Sequence, residues 1–435
     1  MSLPPGPGAP PAIQTARWLF RPIDFLDACR RRHGDQFSVE FLGFQTPMVI
    51  ISDPESIRAL YTGRENGLPP GRSFALEPVM GPRSVLLLEG EDHLSRRKAM
   101  LPPFHGERMR SYETVIGEVA AAEIERWPRG EAFAIHPRMQ ALTLEVILRA
   151  VFGVTDLRRR ERLRGLLGRL LDKFASPLLQ VKLLAARRFG RSGPLDQLRR
   201  EAATVDELIY AEIADRRADP ALAERDDILS LLVATRFADG EPLGDAELRD
   251  QLVTLLLAGH ETTATALAWT FDLLLRNPEP QGRLRDELAE GGDEYLRATI
   301  SEALRLRPVV PLAGRRLGSP LRIGEYELPP GTDVTPAFWL THTRPDLYPQ
   351  PLEFRPERFL AEPPETYAWV PFGGGVRRCL GAAFAEFEMR IVLREVLSRR
   401  RLVGARSAPE RIARRNITFS PRQGTPVMVM PAPAS

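Results

Sequence analysis

The stretch PFGGGVRRCLGAAFAEFEMR, Pro371 to Arg390, decides how this chain is read. It places Cys379 just ahead of a helix expected to begin near Leu380 and to run to Arg399. The unsatisfied N–H groups and positive end of a helix stabilise a thiolate over a thiol. Gly373, Gly374 and Gly375 let the backbone fold tightly beneath a flat ligand, and Gly381 keeps the first helical turn clear of it. Arg377, two residues before the cysteine, is aimed at an acidic group on that ligand. Phe372, Gly375, Arg377, Cys379 and Gly381 together meet F-x-x-G-x-R-x-C-x-G. A lone cysteine is ordinarily a small buried hydrophobe, which is the reading for Cys29.

These residues resemble the haem-binding loop of the cytochrome P450 family. Three further segments match that family in the same order, so the resemblance covers nearly the whole chain. It implies a mainly α fold with a minor β region, a helical bundle around haem plus small sheets. It also implies that Cys379 is the iron ligand and that Phe372, Arg377 and Gly381 help to hold haem b. Thiolate ligation pushes electron density toward bound oxygen and favours O–O cleavage.

The second segment is Ala258–Gly259–His260–Glu261–Thr262–Thr263, in the middle of a long apolar stretch, Leu252 to Leu275. Ala258 and Thr262 are four apart and share a helix face. Small residues at Ala258 and Gly259 leave room for a planar cofactor and O2. Thr262 can bond back to the carbonyl near Ala258. Glu261 is an acid beside an alcohol, a pair suited to proton delivery. The segment resembles the family's A/G-G-x-D/E-T, with Glu261 and Thr262 as the catalytic pair. A zinc reading fails, because an H-E-x-x-H begun at His260 would need a second histidine where Ala264 stands. Family members that lack the pair often run on peroxide or rearrange their substrate, and a passive haem sensor has no use for it. Its presence favours O2 and two electrons.

Glu302 and Arg305, three apart in SEALRLRP, and Arg358, in PLEFRPERF, resemble the family's structural triad. The resemblance implies that they lock the loop beneath the haem. Haem carries two carboxylates that need cationic partners. The matching candidates are His93 with Arg97, Arg377, and Arg315, preferred to Arg316 by counting back from Ile323. The family's substrate pocket falls on Phe74, Leu76, Val79, Met80, Val85, Leu86, Leu255 and Ala258, then on Val309, Val310, Leu312, Ala313, Thr418 and Phe419. These residues are mostly apolar, which implies an apolar substrate such as a fatty acid or terpenoid.

The rest of the sequence bounds this reading. The chain has 435 residues, 43% hydrophobic and 27% charged, with a formal charge of +3. Basic residues are interspersed with acids along the whole length, which argues against a nucleic-acid binder. The haem domain takes residues 16–435 as a single unit after a Pro-rich lead, 1–15. With only Cys29 left over, no cysteine cluster remains for an iron–sulfur module. Electrons are therefore expected from NAD(P)H through a ferredoxin reductase and an acidic ferredoxin, docked around Lys98, Arg377 and Arg378. His260, Glu261, Asp272 and five threonines interrupt the longest apolar stretch. No membrane anchor is expected, and a cytoplasmic monomer is. A hairpin is expected over 36–51 with Gly43 near its turn, and helices over 142–152, 162–174 and 202–216. Short strands are expected over 315–340, irregular chain over 344–377 and a β-like tail over 416–430.

Overall fold

A computed structural model of the chain describes residues 3–42, 44, 46–63, 67, 77, 79–175, 193–237, 240–361, 364–415 and 417–430. Of residues 172, 174, 175 and 193–199 it describes the backbone alone. In chain order the helices used below are α1 (Pro11–Phe20), α2 (Pro22–His33), α3 (Pro54–Thr62), α4 (Gly90–Met100), α5 (Arg108–Glu125), α6 (Ile135–Val146), α7 (Leu157–Ala175), α8 (Gly193–Ala218), α9 (Ile228–Ala234), α10 (Asp245–Arg276), α11 (Pro278–Ala289), α12 (Glu294–Leu306), α13 (Phe338–His342), α14 (Arg358–Ala361) and α15 (Ala382–Arg399). The fold is mainly helical with small sheets, as the sequence implies.

The chain divides into two compact units. The first comprises Met1–Arg72, Thr265–Ala382 and Leu402–Met430. Its sheet joins β1 (Gln36–Val39), β2 (Met48–Ile51), β3 (Asp333–Pro336) and β4 (Arg315–Arg316), in the order β1-β2-β3-β4. β1 and β2 form the expected antiparallel hairpin, Gln36 opposite Ile51; Gly43 lies outside the described residues. β3 lies parallel to β2, with Val334 opposite Val49, and antiparallel to β4, with Val334 also opposite Arg315. Leu321–Ile323 and Tyr326–Leu328 form a second hairpin inside the expected 315–340 region. The tail pairs as expected, Thr418–Pro421 with Ile412–Arg415 and Pro426–Val429 with Leu402–Gly404. One core cluster gathers Trp18, Phe25, Phe37, Phe41, Trp339 and Phe419. Another packs Ile57, Leu60 and Tyr61 of α3 against Val49, Ile51 and Val334.

Pro11 opens α1, where a missing N–H costs nothing and a fixed φ suits the helix. Pro54 does the same for α3, whose cap is Asp53, accepting from the Ser56 N–H at 2.8 Å.

The second unit comprises Ser73–Ala264, Ala383–Arg401 and Pro431–Ser435. Phe384 of α15 meets Tyr112 of α5 edge-on, with ring centroids 5.5 Å apart. α6 begins seven residues before the expected Leu142 and continues as a π-helical turn, Ile147–Val151. Asp227 caps α9 and pairs with the buried Arg216 of α8. Asp250 and Gln251 of α10 accept from the N–H groups of Arg83 and Val85, each at 3.0 Å, which ties the 81–86 segment to that helix. Among the described residues, no helix is long and apolar enough to cross a membrane.

Candidate active site

In the first unit the cysteine loop is built by its own backbone. The Cys379 N–H donates to the Phe372 carbonyl at 2.9 Å, and the Arg378 N–H to that of Gly375 at 3.1 Å. Gly375–Arg377 form a 3-10 turn, half-burying Arg377 and leaving Cys379 exposed. α15 begins at Ala382, so Leu380 and Gly381 separate it from the cysteine. Gly373 and Gly375 adopt φ of +68° and +66°. A Cβ on Gly374 would sit 2.5 Å from the Tyr61 ring, and one on Gly375 would sit 2.1 Å from the Tyr61 carbonyl oxygen. The demand for glycine at Gly374 therefore comes from α3 pressing on the loop, and at Gly375 from that pressure together with its positive φ. A Cβ on Gly381 would meet nothing within 4 Å.

Arg315 is 6% exposed. Its guanidinium lies 4.9 Å from the Tyr61 ring centroid and donates to the carbonyls of Gly314 at 3.0 Å and Gly374 at 3.4 Å. Among the described residues it has no carboxylate partner, and burial pushes its pKa down. Arg316 instead bonds Asp333 at 3.0 Å, because the β4–β3 register sets the two opposite each other. A buried guanidinium beside the cysteine loop, lacking an acid, fits a group that brings its own carboxylates. Haem is such a group.

The triad residues meet in the same unit. Arg305 donates to Glu302 from Nε at 2.7 Å and from Nη2 at 2.8 Å, and Arg358 Nε reaches Glu302 Oε1 at 3.0 Å. Arg305 Nη1 also donates to the carbonyls of His342 at 2.6 Å and Pro351 at 2.7 Å. His342 is fully buried. Its Nε2 accepts from the Val370 N–H at 3.0 Å, and its Nδ1 lies 3.2 Å from the Arg305 carbonyl. It thus ties the triad to the chain entering the cysteine loop. Burial pushes its pKa down to about 3. Sequence reasoning missed His342 and Tyr61, which carry no motif of their own.

In the second unit, Thr262 Oγ1 donates to the Ala258 carbonyl at 2.6 Å, the back-bond expected from the sequence. Glu261 faces α6. Its Oε2 accepts from Gln140 Nε2 at 2.6 Å, and its Oε1 lies 3.7 Å from His136 Nε2. Neither partner was legible as a site residue. His93 is buried and Arg97 half-buried, one turn apart on α4.

The candidate pocket residues divide. Phe74 and Leu76 lie outside the described residues. Val79 lines a small cleft with Leu167, Leu170, Val205, Val253 and Leu256, and with the ion-paired Asp206 and Arg249. Met80 and Val85 are buried, Leu255 is half-buried, and Leu86 is exposed. In the first unit, Val309 is buried and Val310 and Ala313 are half-buried, while Leu312 packs on the Trp18 cluster. Thr418 Oγ1 donates to the Arg415 carbonyl at 2.8 Å. Phe419 is a core residue, its ring 5.9 Å from Trp18 and its carbonyl bonded by Trp269 Nε1 at 2.8 Å.

The chain matches the family model described as Cytochrome P450 over residues 4–425. It is 42% identical over 439 residues to the putative cytochrome P450 135B1 of Mycobacterium tuberculosis, covering 99% of this chain and 92% of that protein. It is 38% identical over 443 residues to the putative cytochrome P450 138 of Mycobacterium bovis, covering 98% and 97%. The solved structure of retinoic acid-bound cyanobacterial CYP120A1 superposes with a TM-score of 0.83 at 25% identity, over 98% of this chain and 99% of that one. The cytochrome P450DA heme domain shares the fold, with a TM-score of 0.84 at 22% identity over 99% of both chains. The chain belongs to the cytochrome P450 family and is a haem-thiolate monooxygenase.

Proposed function

We propose that this protein inserts one oxygen atom of O2 into an apolar small molecule, such as a fatty acid or terpenoid. The haem is haem b, ligated by Cys379. Arg315 and Arg377 hold its carboxylates, and His93 and Arg97 supply further donors. When bound, this group supplies the activation of O2; the chain's own residues orient it, exclude water and manage protons. The Thr262 hydroxyl, whose proton is held by the Ala258 carbonyl, presents its oxygen lone pairs as a hydrogen-bond acceptor on the oxygen-binding side, and Glu261 supplies protons there. That oriented hydroxyl beside an acid is the observation that carries the reading. Electrons arrive from NAD(P)H through a ferredoxin reductase and a ferredoxin, and the working unit is a monomer.

The test is turnover of a panel of fatty acids and terpenes under 18O2. The reading expects one 18O atom per product molecule, and loss of product in Thr262→Ala with peroxide released instead. Product oxygen drawn from water, or full product formation in Thr262→Ala, would overturn it.

A further inference from the structure

α6 presents one stripe of side chains to the acid-bearing turn of α10. His136, Gln140, Thr143 and Ile147 are spaced four, three and four residues apart, so they share a helix face. Their partners fall on three consecutive residues. Ile147 Cδ1 lies 3.4 Å from where a Cβ on Gly259 would sit. Thr143 Oγ1 donates to the His260 carbonyl at 3.1 Å. Gln140 Nε2 donates to Glu261 Oε2 at 2.6 Å, and His136 Nε2 stands 3.7 Å from Glu261 Oε1. Both carboxyl oxygens of Glu261 therefore face α6. Its side chain is 21% exposed, while that of His136 is 2% exposed. At the last residue of the stripe the helix turns π-helical, over Ile147–Val151, a rare geometry that gathers at functional sites.

We infer that Gln140, with His136 at the other carboxyl oxygen, is a positioning residue for Glu261. It sets which way the carboxyl faces and how far it travels to hand on a proton. A glutamate has three rotatable bonds, and a free one on a helix surface spreads over many rotamers. A 2.6 Å hydrogen bond from a second helix confines it to a narrow set. Proton transfer depends steeply on such geometry. Without Gln140, protons arrive late, and O2 that has taken two electrons and two protons leaves as hydrogen peroxide. The inference rests on the reading of Glu261 as the proton donor.

The experiment uses the holoenzyme with NADPH and a surrogate ferredoxin–reductase pair, so that no substrate need be known. Gln140→Met keeps the length and removes the donor; Gln140→Glu, of near-identical shape, is the second variant in case the first folds poorly. Peroxide released per O2 consumed is measured against water formed. Infrared spectra are recorded in parallel, with the Glu261 carboxyl band assigned by its loss in Glu261→Gln. Both Gln140 variants are expected to raise the peroxide fraction about fivefold, the equivalent of one ordinary hydrogen bond, and to shift that band. In a Glu261→Gln background Gln140→Met is expected to change neither. If Glu261→Gln raises peroxide while both Gln140 variants behave as the parent, the positioning role falls and the acid's role stands. If Glu261→Gln itself leaves the peroxide fraction unchanged, the reading of Glu261 falls and takes this inference with it.

Discussion

Glu302 and Arg305 face each other one turn apart on α12, joined by hydrogen bonds of 2.7 and 2.8 Å with both side chains fully excluded from solvent. Such a pair adds little to stability beyond what a hydrophobic pair would, but breaking it strands a charge. Glu302→Ala leaves Arg305 and Arg358 without their shared carboxylate. It is expected to cost about 3–5 kcal/mol and to yield mostly protein without haem. Arg305→Lys is expected to fail similarly, since an ammonium cannot reproduce the fork that also reaches the His342 and Pro351 carbonyls. Thermal unfolding and haem content check both. A midpoint unchanged in Glu302→Ala would remove the triad from the account.

Gly375 meets two constraints at once, a φ of +66° and the Tyr61 carbonyl 2.1 Å from any added Cβ. Gly375→Ala is expected to displace α3 from the loop and weaken haem retention, while Gly381→Ala, with open space around its Cβ, leaves α3 in place. Trimming the ring cannot relieve the clash, because the obstacle at Gly375 is backbone. Tyr61→Phe therefore should not rescue Gly375→Ala. Haem loss to apomyoglobin, measured for each variant, decides this.

His342 accepts from Val370 on one ring nitrogen and faces the Arg305 carbonyl with the other, an arrangement that needs the neutral ring. Its pKa, about 3 in the folded protein against about 6.5 unfolded, is depressed. Between these values the unfolded chain binds the extra proton. Stability is therefore full above about pH 6.5 and falls toward pH 3, by about 1.4 kcal/mol per pH unit. Denaturant unfolding from pH 4 to 7 measures the slope. His342→Asn is expected to flatten it, and an unaltered slope would contradict the assignment.

Glu388 works in the opposite sense. It is buried on α15, its Oε1 has no hydrogen-bond partner among the described residues, and desolvation pushes its pKa up to about 8. The folded state holds a proton that the unfolded state has released, so stability falls as pH rises from about 4.5 through 8. Glu388→Gln removes this dependence. It is expected to match the parent near pH 5 and to exceed it by a margin that grows to pH 8. Equal stability of the two at pH 8 would refute it.

The parts legible in the sequence were those whose partners sit a few residues apart or in fixed motifs. The Cys379 loop, the Glu302–Arg305 pair and the Thr262–Ala258 back-bond all depend on local spacing. Counting back from Ile323 favoured Arg315 over Arg316, but that Arg316 is engaged by Asp333 is visible only in the strand pairing. Tyr61, His342 and Gln140 were out of reach for a simpler reason: their contacts lie with residues 314, 28 and 121 positions away. The pocket residues show the limit of apolarity as a signal. Val79 and Phe419 look alike in the sequence, yet one lines a small cleft and the other fills a core.

The central claim is that Cys379 holds haem iron as a thiolate. The direct measurement is the absorption spectrum of the reduced, carbon-monoxide-bound protein. The account predicts the strongly red-shifted Soret band of thiolate-ligated haem, and its replacement by an ordinary haem spectrum in Cys379→His. A wild-type protein that binds haem and carbon monoxide without that red shift would contradict it.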